Sequence, residues 1–153
     1  MIIKTKSLLN KYLILGGLFI LVLVVHQNEV LAFDKNPVVK AFQKQLESKA
    51  QNQSPGFKGF SAEEGEKLYH LKRAFSKDGE TRSCTSCHTN DPTKPGETKV
   101  GKAIKPLAPK VNNERFTDVE KIEKWFRRNC KWVLERECTV VEKGHFIEFI
   151  YSI

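Results

Sequence analysis

Cys84-Thr85-Ser86-Cys87-His88 decides how this chain of 153 residues is read. Two thiols stand one helical turn apart, and an imidazole follows the second directly. A thioredoxin-like dithiol would need a strand before the motif in a βαβ setting, whereas a helical pattern precedes it here. A zinc site would need a second close pair, and Cys130 and Cys138, with seven residues between them, make a poor one. Two structural disulfides sit awkwardly with the two-residue gap. The remaining chemistry is covalent haem attachment. Two thiols at this spacing add to the two vinyl groups of one macrocycle, and the adjacent imidazole reaches the iron as proximal axial ligand. This reading assigns Cys84 and Cys87 to the thioethers of one haem c and His88 to the iron.

The N-terminus supports it. Lys4, Lys6 and Lys11 form a basic start, Tyr12 to Val25 is uncharged and mostly apolar, and Val30-Leu31-Ala32 offers a cleavage site before Phe33. The apolar run is shorter than the roughly 20 residues of a membrane span. Residues 1–32 are therefore expected to be a signal peptide, with an uncleaved anchor as the alternative, and the chain is expected in the periplasm. The mature protein would not be membrane-embedded. An oxidising compartment also permits disulfides.

Composition narrows the classes further. Apolar residues make up 40% and charged residues 29%, a globular balance. Net charge is +8, and residues 1–32 hold three Lys and one Glu, so cleavage leaves +6. Nucleic acid fits neither an exported chain nor the lack of a basic helix with interleaved aromatics. Met1 is the only methionine, so the thioether that usually completes an electron-carrying cytochrome c is missing.

Outward from the motif the chain reads as all-α. Asn36-Pro37 opens an amphipathic helix to about Gln51, with Val38, Val39, Phe42 and Leu46 on one side. Ser61 and Glu64 look like a capping box for a helix over about 62–75, with Gly65, Leu68, Tyr69, Leu71 and Phe75 on one arc and His70 opposite. Residues 91–116, rich in Pro and Gly, form a long loop of the kind that wraps something. Thr117 with Glu120 and Thr139 with Glu142 suggest two more capping boxes. The helix from 118 to about 133 carries Trp132, Trp125, Ile122, Val133, Phe126, Val119 and Cys130 on its apolar arc. The last helix gathers Phe146, Phe149, Ile150, Ile147, Ile153 and Tyr151, with His145 and Glu148 on the other side. The domains expected are 1–32 signal, 33–60 N-terminal helix and linker, and 61–153 the haem domain.

The sixth ligand has several candidates: His70, His145, a lysine, Asn129, or none. His70 and His145 lie on polar arcs and read as solvated. Asn129 sits near the centre of the apolar arc, between Trp125 and Ile122. A carboxamide there needs a partner. That partner is backbone, a haem propionate, or the iron.

Several separated segments then resemble one family. R-S-C-T-S-C-H-T-N-D-P-T, G-K-A-I-K-P-L-A-P, R-F-T-D-V-E-K-I-E-K-W-F-R-R-N-C and R-E-C-T, over about 82–145, are similar to the sphaeroides haem protein family of c-type cytochromes. The resemblance implies a class I-like cytochrome c fold, with the helix at 37–51 outside it. It implies an asparagine axial ligand in the W-F-x-R-N-C segment, which falls on Asn129. It also implies a disulfide near the haem, matching Cys130 and Cys138. The expected function is electron transfer with redox-gated binding of O₂, NO or CO. The expected partner is an electron-donor cytochrome, multihaem or membrane-bound. The alternatives are a haem enzyme reducing O₂, peroxide or a nitrogen oxide, and a plain electron shuttle. The sequence places no distal acid–base group of the kind peroxidase-type chemistry uses, which weighs against the enzyme.

Overall fold

Short polar side chains open four helices. The computed structural model describes residues 33–153; the expected signal peptide lies outside the described residues. In chain order the elements are α1 (Pro37–Gln53), α2 (Ala62–His70), β1 (Arg73–Ala74), β2 (Thr81–Arg82), α3 (Thr85–His88), β3 (Gly96–Glu97), β4 (Ala103–Ile104), α4 (Val119–Leu134) and α5 (Val140–Ser152). Asn36 caps α1 through Val39 N–H at 3.0 Å, with Pro37 just inside. Thr139 and Glu142 form the full reciprocal box of α5, at 3.1 and 2.8 Å. Two of the expected caps differ. α4 is capped by Asp118, which accepts from Lys121 N–H at 3.1 Å, while the Thr117 hydroxyl donates to the Glu114 carbonyl. A carboxylate ranks above a threonine at an N-cap and also faces the positive end of the helix dipole. At α2, Ser61 Oγ accepts from Glu64 N–H, but the Ser61 N–H donates to His145 Nδ1 at 2.8 Å.

α2 ends five residues earlier than its periodicity suggests. Arg73 pairs with Arg82 and Ala74 with Thr81 in an antiparallel hairpin, turned through Gly79 at φ +69°. Phe75 thus leaves the α2 arc and lies under the Arg82 guanidinium, 3.5 Å from its ring centroid. A second two-residue ladder, β3 with β4, folds the long loop back on itself. The architecture remains all-α, since each ladder is two residues long.

The main core joins α1, α4 and α5: Val39, Phe42 and Leu46 meet Ile122, Phe126, Val133, Ile147 and Tyr151. A second cluster of Tyr69, Leu107, Phe149 and Ile150 lies where α2 crosses α5, and Cys84 packs against it. Gly65 permits that crossing. A Cβ there would stand 2.0 Å from the His145 carbonyl oxygen. Gly65 and Tyr69, one turn apart on α2, both meet α5 there. α5 is consequently covered on two sides. Its supposed solvent side meets α1, where Glu148 accepts from Lys35 Nζ at 2.7 Å and Gln43 Nε2 at 2.8 Å.

Candidate functional site

α3 is one turn of helix that, with Cys84 as its N-cap, carries the Cys-x-x-Cys-His motif. Its entry is tied locally: Ser83 N–H donates to Ser86 Oγ at 3.0 Å, and the His88 N–H reaches the Cys84 carbonyl at 3.0 Å. Its exit is held from two directions. The Tyr69 hydroxyl lies 3.1 Å from the His88 carbonyl and 2.7 Å from that of Thr89, where the chain turns out of the helix at φ +64°. From the loop side, the backbone of Gly96 lies on the Cys87 carbonyl so closely that a Cβ would fall 1.9 Å from its oxygen.

The donor set suits haem attachment. Cys84 and Cys87 are free thiols, not bonded to each other. Burial pushes the Cys84 thiol up to about 12, where it packs against the Tyr69–Leu107 cluster. The His88 imidazole is pushed down to about 4, first by burial and then by the nearby Arg115 guanidinium. It is therefore a neutral nitrogen donor near pH 7, as an iron ligand must be. Arg115 is itself held in the wrapping loop, with Nε donating to the Pro106 carbonyl at 2.9 Å and Nη2 to that of Lys105 at 2.5 Å. The zinc alternative loses its second pair, because Cys130 is bonded to Cys138, with Cα atoms 5.5 Å apart. Among the described residues no group of three or more His, Cys, Asp or Glu side chains converges.

The apolar arc of α4 divides into two strips. Ile122, Phe126, Cys130 and Val133 are buried in the main core. Beside them Trp125 is 48% exposed, Asn129 is exposed and Trp132 is half-buried. The second strip starts at the motif's approach. The Arg82 guanidinium, two residues before Cys84, lies 5.1 Å from the Trp132 ring centroid, and Lys99 from the β3–β4 turn lies 5.3 Å from it. Trp125 and Asn129, which the protein core does not enclose, and Trp132, packed at its edge, make a face fit for a flat apolar group. The internal hydrogen bond that would have satisfied Asn129 within a core is thus not needed where the side chain stands.

The histidines separate. His70 is exposed, beside Tyr69 and Phe149, as its arc suggested. His145 is not solvated: it is half-buried, accepts from Ser61 N–H and meets the Phe60 ring edge-on. Burial lowers its pKa, against the opposing pull of Glu64, Glu142 and Glu148. Sequence reasoning treated Tyr69 as packing only and overlooked Gly96. A signal for Tyr69 existed, since a tyrosine on a buried arc brings a hydroxyl that must find a partner.

Two cysteines two residues apart, an adjacent imidazole and an apolar helix face fit a c-type cytochrome. The family model described as "Domain of unknown function (DUF1924)" matches residues 55–150. Cytochrome c-type protein SHP of Cereibacter sphaeroides is 43% identical over 89 residues, 58% of this chain and 68% of that protein. Cytochrome c'' of Methylophilus methylotrophus is 37% identical over 104 residues, 67% of this chain and 72% of that one. The solved structure of oxidized SHP, described as an oxygen binding cytochrome c, superposes with a TM-score of 0.61 at 36% identity, covering 72% of this chain and 96% of that chain. The solution structure of cytochrome c'', a study of haem-ligand detachment, superposes with a TM-score of 0.67 at 33% identity, covering 74% and 92%. The chain belongs to this SHP family of c-type cytochromes, and its cofactor is one covalently bound haem c.

Proposed function

We propose that this chain is a periplasmic electron-transfer cytochrome that binds small diatomic ligands only when reduced. Cys84 and Cys87 would hold the haem through thioethers, and His88 and Asn129 would be the donors to its iron. The observation that carries the reading is the Trp125–Asn129–Trp132 strip, which begins at the motif's approach and presents a carboxamide outside the core. The description of SHP as an oxygen binding cytochrome c supports it.

When bound, the haem would supply a one-electron couple and an iron to which a small ligand can add. Asn129 decides when that iron is open. An amide oxygen is a hard donor, suited to ferric and poorly suited to ferrous iron. The Asn129 amide oxygen would thus hold the ferric haem more firmly than the ferrous one, and its amide N–H would be the donor available to a small diatomic ligand. The Cys130–Cys138 bridge fastens the residue after Asn129 to the turn that precedes α5. The electron donor is another cytochrome. Lys124, Arg127 and Arg128 on the exposed side of α4 suit an acidic partner surface.

Asn129→Met tests this. Visible and EPR spectra of the purified holoprotein should become low-spin in both oxidation states, and CO and NO should no longer bind the reduced form. Undiminished CO and NO binding in that variant would reject the gate.

A further inference from the structure

We infer that the Tyr69 hydroxyl is a positioning group for the axial ligand: by holding the carbonyls of His88 and Thr89 it sets the orientation in which the His88 ring is offered. The inference rests on His88 being the proximal ligand.

The geometry is specific. Tyr69 is fully buried, and its one hydroxyl proton lies between two carbonyl oxygens, 2.7 Å from Thr89 and 3.1 Å from His88. These carbonyls end a helix of a single turn, α3, where no further turn exists to satisfy them. Thr89 stands at φ +64°, a conformation a threonine rarely adopts, so something must hold it there. The same backbone is blocked on its other side by Gly96 against the Cys87 carbonyl. The His88 side chain springs from a peptide unit clamped in this way, so the direction of its Cα–Cβ bond is fixed from outside α3. Packing alone does not require the hydroxyl. The Tyr69 ring is already seated between Phe146 and Phe149, at 6.3 and 5.4 Å between centroids, and a phenylalanine would fill that place. The hydroxyl therefore adds one thing to this position, the hold on residues 88 and 89. It also connects the axial ligand to the α2–α5 crossing, because Tyr69 lies one turn after Gly65 on α2.

The experiment compares wild-type and Tyr69→Phe holoprotein by resonance Raman spectroscopy, CO binding to the reduced form and thermal unfolding. Wild type labelled isotopically at histidine nitrogen comes first. A label-sensitive iron–imidazole band supports the His88 assignment; its absence overturns that assignment and this inference with it. With the band present, Tyr69→Phe should carry one covalent haem, shift or broaden the band, and change CO affinity about three- to tenfold, the effect of one ordinary hydrogen bond. An unchanged band and CO affinity, with only a lower unfolding midpoint, would reduce Tyr69 to a structural residue and overturn the inference while leaving His88 in place. If Tyr69→Phe does not accumulate as holoprotein, the comparison is made between Thr89→Gly and the Tyr69→Phe/Thr89→Gly double variant. A glycine takes φ +64° without strain, and the same band and affinity then decide.

Discussion

His145 shows what one buried acceptor does to stability. Its Nδ1 accepts from Ser61 N–H at 2.8 Å, which requires the neutral ring. Burial depresses its pKa below the ordinary imidazole value of 6.5. The unfolded chain therefore takes up the proton first as pH falls, and linkage gives a stabilising contribution that is complete above about pH 6.5 and is lost below it. Unfolding midpoints measured at pH 7.5 and 5.5 should fall more for wild type than for His145→Gln, whose amide oxygen can accept the same hydrogen bond without titrating. An equal fall in both would mean that other groups carry the acid sensitivity. Asn129 marks the reach of sequence reading at this scale. Helical periodicity alone places it among apolar neighbours, because a wheel depends only on spacing. That the arc splits, with Ile122 and Phe126 buried and Trp125 and Asn129 outside the core, depends on where α1 and α5 press on α4.

Among the elements, the α2–α5 crossing is the tightest contact near the site. A methyl at position 65 would meet the His145 carbonyl oxygen at 2.0 Å and Phe149 Cβ at 2.7 Å. Both lie on α5 and cannot turn aside, so the helices must separate. Gly65→Ala should destabilise the holoprotein by about 2–3 kcal/mol despite the better helix propensity of alanine, read from the denaturant midpoint at unchanged slope. An unaltered midpoint would show that the crossing has slack. The ends of elements were less legible than their existence. The α2 periodicity runs on through Phe75, but the pairing of Arg73 with Arg82 and the seat of Phe75 under the Arg82 guanidinium end the helix at His70. Those partners lie on a second strand, which a local pattern does not contain.

For the molecule as a whole, α1 is part of the core although it precedes the segment matched by the family model. Phe42 is 3% exposed in the cluster that holds Ile122, Phe126 and Ile147. Asn36 strengthens the join, with Nδ2 donating to the Phe116 carbonyl at 3.1 Å and to the Tyr151 hydroxyl at 3.2 Å. Phe42→Ala should cost about 3–5 kcal/mol. A shift of the haem absorbance and the loss of helical circular dichroism should then coincide in one transition at a lower temperature. Two separated transitions would mean that α1 is an independent appendage.

By itself the sequence determined the chemistry of attachment, the presence of the four longer helices and the residues that begin most of them. All of these depend on groups within a few positions of one another: two thiols and an imidazole in five residues, or a cap and the amide three positions on. The tertiary structure alone decided which side of α5 is covered, which strip of α4 is left outside the core, and that a tyrosine hydroxyl on α2 holds the end of α3. The deciding contacts join residues far apart in the chain, such as Lys35 with Glu148 and Tyr69 with Thr89. Burial and hydrogen-bond partners at that range come from how the helices pack, which no local spacing encodes.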